Sequence, residues 1–287
     1  MPARVWQALA GIIMLLLVAV VGLDQWQARR GEASLFGPAV LGSGVRAAPE
    51  APASAAPLAA TAPAPPGAPR VAIIVDEMGG RRDIFDALRE FRRPFTVAVQ
   101  PALPLSATIA RDAARSGMEV LLDLPMEPYR YPELDPGPGV LLMSMPTMEI
   151  QRLISARLGA FTPAVGVINR MGSRLTEDRA RMRAVVQALA SRRLLLVDAY
   201  TSSQSVAYDE AHAAGVRAAR RQILVDHAGG ETADRARWDA VAGWAERRGE
   251  VTVVAHDHPL TVRLLREYVP RWEARGLRLV PVSSVAR

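Results

Sequence analysis

The sequence predicts an α/β protein: a (β/α) barrel of seven or eight parallel strands, preceded by an N-terminal transmembrane helix and a Pro/Ala-rich linker. From Val71 onward, short apolar runs alternate with segments of helical periodicity, which is typical of β-α-β crossover units. Most of these runs are apolar at every position, which indicates strands buried on both faces. No dinucleotide-binding glycine motif follows the first run, so a barrel is favoured over an open sheet.

Residues 1–30 are predicted to form a membrane anchor. Residues 5–23 contain no charged side chain, and at about 1.5 Å per residue they span about 28 Å, close to the thickness of a bilayer core. Trp6 and Trp26 lie near the two ends, where interfacial aromatic residues are expected. A cleaved signal peptide is the competing interpretation, but the apolar run is long and no small-x-small cleavage site follows it directly.

Residues 31–70 are predicted to form a disordered linker, and residues 71–287 the globular domain. The linker contains the stretch APEAPASAAPLAATAPAPPGAP, which has almost no charged or large apolar side chains. Such a composition cannot bury enough apolar surface to fold, so we expect a semi-extended tether.

The domain alternates strand candidates with helical segments. The strand candidates begin at Val71, Phe95, Met118, Ala164, Leu194, Gln222, Val251 and Leu277. The helical segments cover residues 84–92, 106–116, 147–158, 177–191, 206–214, 232–248 and 260–275. In a (β/α) barrel the carboxyl ends of all the strands converge on one mouth, where such folds keep their chemistry.

The composition excludes several kinds of site and partner. The chain has no cysteine, so disulfides and thiolate metal sites are excluded. The net charge of +6 comes from arginine alone, because the sequence has no lysine, and these arginines are spread along helices among carboxylates. With few aromatic residues and no recognisable binding motif, we expect no nucleic-acid partner.

Polar or ionisable side chains follow most of the strand candidates. They are Asp76 and Glu77; Gln100; Asp123 and Glu127; Asn169 and Arg170; Asp198; Asp226; and His256 with His258. Any one of them could be a helix cap or a loop charge, but their coincidence at one end of the barrel predicts a functional site. Asp123 stands beside a proline turn, so we expect it to have a partner such as Arg170 or a metal. His212 and His227 are expected to lie on the surface.

Several motifs together resemble the divergent polysaccharide deacetylase family of bacterial envelope proteins. They are VAIIVDEMG, LPMEP, PGPG, MGSRLT, VDAYT and a histidine-proline turn, and the resemblance extends from Val71 to about Val285. It implies a distorted (β/α) barrel in which a carboxylate and two histidines hold a zinc-like divalent metal that activates water to remove N-acetyl groups. Carried over, Asp76 would be the base, Glu77 the first metal ligand and His256 the acid, with Asp198 orienting His256.

The chain departs from the family pattern at three positions. Asp76-Glu77 replaces the usual Asp-Asp, Asp123 replaces a histidine before LPME, and Arg170 replaces a histidine before MGS. A guanidinium stays protonated and cannot ligate a cation, and the loss of two imidazoles leaves Asp123 as a poor substitute zinc ligand. We therefore hypothesise that Arg170 takes the place of the cation, neutralising Asp76 and Asp123 in a salt-bridged cluster, and that the site holds no cofactor.

Three functions remain open at this point. The first is a hydrolase of carbon–nitrogen bonds that removes N-acetyl groups from an envelope polysaccharide or peptidoglycan fragment. The second is a catalytically inactive homologue whose mouth, with Glu127, Asn169, Arg170, Asp226 and His258 in its lining, binds a glycan or a protein partner that the sequence does not identify. The third is a metal-independent glycosidase that pairs Asp76 with Glu127 or Asp198. In each case we expect a single-pass inner-membrane protein with a periplasmic domain, or a secreted one if the anchor is cleaved.

Overall fold

The computed structural model describes residues 67–161, 163–227 and 229–287. The predicted anchor and all but the end of the predicted linker lie outside these residues. Within the described ranges, no helix combines the length and the hydropathy that a membrane span requires.

Strands and helices alternate along the described chain. The strands are β1 (Arg70–Met78), β2 (Thr96–Val99), β3 (Glu119–Met126), β4 (Ala164–Met171), β5 (Leu195–Asp198), β6 (Ala218–Arg220), β7 (Ile223–Leu224), β8 (Glu250–His256) and β9 (Arg278–Val280). The helices are α1 (Arg82–Glu90), α2 (Ser106–Arg115), α3 (Thr147–Ala160), α4 (Arg179–Ala190), α5 (Ala207–Ala213), α6 (Gly230–Arg248) and α7 (Pro259–Ala274). Short 3-10 turns occupy Leu175–Glu177 and Val282–Ser284.

The strands form one parallel sheet in the order β6-β5-β4-β3-β2-β1-β8-β7, and β9 pairs with the first residues of β1. The edge strands β6 and β7 are consecutive in the chain and are separated only by Arg221 and Gln222. Arg221 N–H donates to the carbonyl of Asp198, the last residue of β5, and Gln222 N–H donates to the Thr252 carbonyl in β8. The sheet is therefore curled, and one chain segment reaches from its β5 side to its β8 side.

The prediction of a parallel α/β sheet that curls like a barrel is confirmed, but the number of strands differs. The described part of the chain has nine strands, because the run predicted as a strand from Gln222 forms β7 and a further short strand, β6, precedes it. The chain changes its hydrogen-bonding neighbour at Arg221 and Gln222, so neither β6 nor β7 can extend into a longer strand.

Both faces of the sheet are buried, which explains the uniformly apolar strands. Side chains alternate between the faces of a strand. In β1, Ile73 and Val75 pack outward against the helices, whereas Ala72 and Ile74 belong to a second cluster inside the curl. The segment after β9 fills the inner cluster near the amino ends of the strands, because Val282 packs there and its N–H donates to Thr96 Oγ1 at 3.1 Å. The carboxyl ends remain as the mouth.

Candidate functional site

The alternation of side chains selects which strand-end residues face the inside of the curl. Five of them lie two positions beyond an apolar residue of the inner cluster, and they therefore point to the same side. The pairs are Ile74 and Asp76, Leu121 and Asp123, Ile168 and Arg170, Leu224 and Asp226, and Val254 and His256. Because β1 and β8 are adjacent, Asp76 and His256 are direct neighbours in the sheet.

His256 is held between two carboxylates. Its Nδ1 lies 2.8 Å from Asp226 Oδ1, and its backbone N–H donates to Asp226 Oδ2 at 2.6 Å. Thr261 Oγ1 also donates to Asp226 Oδ2, at 3.2 Å. On the other side of the ring, Nε2 lies 3.9 Å from Asp76 Oδ1. This arrangement fixes the imidazole with its Nε2 edge toward the mouth.

These contacts shift the pKa values of His256, Asp226 and Asp76. The hydrogen bond with Asp226 raises the pKa of His256 to about 9, against the opposing effect of burial, and the charge of Asp76 adds to the rise. Burial acts to raise the pKa of Asp226, but the bonds from His256 outweigh it and lower that pKa. Burial raises the pKa of Asp76 well above its usual value. At neutral pH His256 is therefore a cation and a potential proton donor.

Asp123 and Arg170 form the opposite wall of the mouth. Asp123 is 1% exposed, and burial raises its pKa to about 7, although the charge of Arg170 acts in the opposite direction. Arg170 Nη2 lies 3.3 Å from Glu77 Oε1. Within the described residues, Asp123 Oδ2 and Arg170 Nε are buried and have no hydrogen-bond partner.

The predicted ion pairs of Arg170 with Asp76 and Asp123 are not found among the described residues, and Arg170 pairs with another carboxylate of the mouth. Its ion pair is with Glu77, and Asp76 instead faces His256. The reason is the backbone of Glu77, whose φ of +60° takes its side chain out of the regular alternation of β1. Met171 and Tyr200, at the ends of β4 and β5, also have positive φ values, so three strained residues surround the mouth.

The residues in the mouth do not fit a zinc-like cation. Glu77, the expected first ligand, is paired with Arg170, a group that cannot ligate a metal. Asp123 is close enough to the same guanidinium for its pKa to respond to it. Across the described ranges, no group of three or more His, Asp or Glu side chains is arranged to hold a metal ion. An arginine that is ion-paired with the expected first ligand thus stands at a position where the family pattern has a metal-ligating histidine.

Asp198 makes its contacts outside the mouth, whereas Asn169 lines the mouth cavity beside Arg170. Asp198 follows Leu196 of the outer core by two positions, so it faces the helices and accepts hydrogen bonds from Tyr200 N–H and Ser205 Oγ. The expectation that Asp198 orients His256 was wrong, because Asp226 makes that contact. Asn169 joins two strand ends, since its Oδ1 accepts from Ala199 N–H at 2.8 Å.

Glu127 and His258 also hold loops in place. Glu127 is 5% exposed and binds Arg174 Nη1 and the Met143 N–H, each at 2.7 Å. His258 is exposed and caps α7, where its Nδ1 accepts from Leu260 N–H at 3.1 Å. Neither Glu127 nor Asp198 lines the cavity that contains Asp76, so the carboxylate pairs expected for a glycosidase lack geometric support. His212 and His227 are exposed, as predicted.

Two residues of the site were missed by the sequence analysis. Arg221 lines the mouth cavity of about 180 Å³ and donates through Nη2 to the Tyr200 carbonyl at 3.0 Å. Asp257 N–H donates to the Asp76 carbonyl at 3.1 Å, and burial raises the pKa of Asp257 to about 6. Asp257 stands between the two histidines of AHDHP, so its position beside a strand end was the available signal.

The role of Asp226 predicts a measurable shift of the His256 titration. In Asp226→Asn we expect the pKa of His256 to fall from about 9 by more than one unit toward its usual value of about 6.5. NMR titration of the imidazole signals would measure this shift. Because the folded pKa exceeds the unfolded one, the pair stabilises the fold fully below about pH 6.5, and this contribution is lost as the pH rises through 9. An unchanged pKa in Asp226→Asn, with the exposed Asp209→Asn as control, would contradict the assignment.

Comparison with known proteins agrees with this fold. The sequence profile of the divergent polysaccharide deacetylase family matches residues 73–286. An Escherichia coli protein named uncharacterized protein YibQ is 32% identical over 200 residues, which cover 70% of this chain and 62% of that protein. The match thus spans less than two thirds of the E. coli relative.

Two solved structures share the architecture. The crystal structure of an uncharacterized protein from Agrobacterium tumefaciens has a TM-score of 0.71 and 25% identity, covering 76% of this chain and 89% of that one. A putative cellobiose-phosphate cleavage protein from Enterococcus faecalis has a TM-score of 0.54 and 13% identity, covering 76% of this chain and 99% of that one, which shows the fold alone. With the profile match over most of the domain, the chain belongs to the divergent polysaccharide deacetylase family.

Proposed function

We propose that the mouth binds an N-acetylated envelope glycan, a polysaccharide or peptidoglycan fragment, and holds an acetamido group without metal-dependent hydrolysis. The observation that carries this proposal is that Asp123 Oδ2 and Arg170 Nε, in one wall of the mouth, are among the buried atoms of the described chain that have no hydrogen-bond partner, as is Asp76 Oδ1 opposite them. A buried polar atom left unpaired costs about 1–3 kcal/mol, so a ligand that pairs both atoms gains affinity. An acetamido group offers one N–H to Asp123 and one C=O to Arg170.

The surroundings of these two atoms suit an acetyl methyl group. Asp123 and Arg170 line a narrow side hollow that admits about one group of the size of a water molecule or a methyl. Its other walls are apolar carbons and one amide, from Pro101, Ala102, Pro125, Pro136, Pro138 and Gln100. Arg170 also lines the main cavity, so a sugar ring there could turn the methyl end of its acetamido group toward the hollow.

Hydrolysis of the N-acetyl group is the second candidate, and the His256–Asp226 pair is the observation that favours it. A protonated His256 can donate a proton to a leaving amine. Asp76, whose Oδ1 lies 3.9 Å from His256 Nε2, can accept a proton from a water molecule. We rank it second because the Arg170–Glu77 ion pair takes the place of the metal that polarises the acetyl carbonyl in the family.

The location of the domain is part of the proposal. Residues 5–23 support a single-pass anchor in the inner membrane, and residues 31–70 a tether that carries the domain in the periplasm, where such glycans occur. Secretion after cleavage of the anchor is the alternative.

The proposal predicts that affinity depends on the acetamido group and on Arg170. We expect the protein to bind tri-N-acetylchitotriose about tenfold or more tightly than cellotriose, which lacks the acetamido groups, because charge-assisted hydrogen bonds contribute about 1.5–3 kcal/mol. Arg170→Lys keeps the positive charge but removes Nε–H, so its affinity for the acetylated trimer should fall to that for cellotriose. Isothermal titration calorimetry would measure both affinities.

The controls separate binding from hydrolysis. Arg266→Lys changes an exposed arginine on α7 and should leave both affinities unchanged. Acetate release from N-acetylated oligosaccharides and peptidoglycan fragments, with and without added divalent metal, would measure hydrolysis, and we expect none above background. Failure of the natural protein to bind either trimer would refute the proposal, and metal-stimulated acetate release would favour the second candidate.

A further inference from the structure

The end of the domain opposite the mouth carries a ring of exposed arginines, which we call the basal face. Because all paired strands are parallel, their amino ends lie together at this end, and the helices run back toward it. Six exposed arginines there have no carboxylate partner within the described residues: Arg92, Arg192, Arg193, Arg217, Arg247 and Arg248. Four of them follow α1, α4 or α5, and Arg247 and Arg248 lie in the last turn of α6. The six are therefore distributed around the rim of the basal face.

Two carboxylates at this end are already neutralised by other arginines, and a third, Glu119, accepts hydrogen bonds from Ser283. Glu250 pairs with both Arg70 and Arg287, and Glu246 pairs with Arg275 at 2.8 Å. The charge of the six unpaired arginines is therefore not balanced on the basal face, and it can act on a partner.

Helix termini explain only part of this pattern. Cations stabilise the carboxyl ends of helices, which accounts for Arg247 and Arg248 in the last turn of α6. Arg193 and Arg217, however, lie beyond the helices and line one shallow cavity of about 310 Å³. Two guanidinium groups on one open cavity are suited to phosphate oxygens, which arginine binds in a bidentate manner.

The chain enters the domain at the same end. Arg70 is the first residue of β1, and the Pro69 carbonyl just before it accepts from Arg278 N–H at 2.8 Å. The predicted linker and anchor precede these residues, so a membrane that holds the anchor is tethered to the basal face. We infer that the basal face docks on anionic lipid headgroups and directs the mouth away from the bilayer. This inference rests on the predicted anchor and is independent of what the mouth binds.

The absence of cysteine in the sequence allows a direct test with single labels. The full chain would be reconstituted in vesicles of phosphatidylcholine, or of phosphatidylcholine with phosphatidylglycerol, each with a headgroup-labelled acceptor lipid. A donor would be placed by Ala214→Cys on the basal face, or by Met148→Cys at the start of α3 on the mouth side. We expect energy transfer from position 214 to be about twofold or more higher in the anionic vesicles, and transfer from position 148 not to rise.

Salt and substitutions distinguish charge from simple proximity. Screening over a Debye length of about 8 Å at physiological salt predicts that the extra transfer is lost at about 0.5 M salt. Arg193→Gln with Arg217→Gln should reduce the difference between the two lipids, because two of the six basal charges are lost. Arg81→Gln with Arg130→Gln removes two charges on the mouth side and is the matched control, which should retain it.

Equal energy transfer from position 214 in the two kinds of vesicle would overturn the inference. This comparison uses the protein with all its arginines in place. If the basal face instead binds soluble polygalacturonate while lipid composition has no effect, its partner is an anionic glycan and the inference also fails. Glycan binding at the mouth is measured separately by calorimetry, so its failure would not be confused with failure of membrane docking.

Discussion

Joint replacement of two residues, Asp123→His with Arg170→His, is expected to give this protein a zinc site that the natural chain lacks. Arg170 lies 3.3 Å from Glu77 and is close enough to Asp123 to affect its pKa, so the three side chains converge. The exchange would remove the permanent cation and supply two imidazoles beside the Glu77 carboxylate. A carboxylate with two imidazoles is a common zinc ligand set with an open fourth position.

Elemental analysis after dialysis would measure this gain. We expect one zinc ion per chain in the double variant, less in either single variant, and none in the natural protein. The single variants are the matched controls. Asp123→His adds one imidazole but retains the guanidinium of Arg170, and Arg170→His removes the guanidinium but supplies only one imidazole. Stoichiometric zinc in the natural protein at these residues would contradict the view that Arg170 replaces the metal. No zinc in the double variant would mean that the backbone around Glu77 no longer permits coordination.

The fold was largely predictable because its strands are short, apolar and separated by helices of clear periodicity. The one element missed was β6, since Ala218–Arg220 is too short to show a pattern of its own. Its strand conformation comes from pairing with β5, which the local sequence does not encode. The same pairing moves the start of the next strand from Gln222 to Ile223.

The site was predictable in its position but not in its contacts. Because both faces of the sheet are buried, the strands show no polar alternation that would tell which strand-end residue faces the mouth. Asp198 and Asp226 look alike in the sequence, each following an apolar run, yet they lie on opposite faces. The departure at Arg170 could be read directly from the sequence, because the chemistry of a guanidinium does not depend on register.

Asp198 lies on the face of the sheet away from the mouth, and its replacement is expected to have a large effect on stability. Asp198 is fully buried, accepts hydrogen bonds from Tyr200 N–H and Ser205 Oγ, and lies 3.5 Å from Arg220 Nε. In Asp198→Ala these two donors lose their acceptor, and the half-buried guanidinium of Arg220 loses a carboxylate ion-pair partner. We expect the free energy of unfolding to fall by about 3 kcal/mol or more, because the two hydrogen-bond donors left without an acceptor cost about 1–3 kcal/mol each. Urea denaturation of the full chain would measure the loss.

Two further substitutions test whether burial is the cause. Asp198→Asn keeps one acceptor for Tyr200 N–H, and burial already raises the pKa of Asp198, so removal of the charge should cost less than removal of the side chain. Asp209 also pairs with Arg220, at 3.7 Å, but it is 62% exposed. Asp209→Ala should therefore change stability by about 1 kcal/mol or less. If Asp198→Ala and Asp209→Ala cost the same, Asp198 would act only as a counter-ion of Arg220. A larger loss in Asp198→Ala would show that it organises the loop after β5, on the face of the sheet away from the mouth.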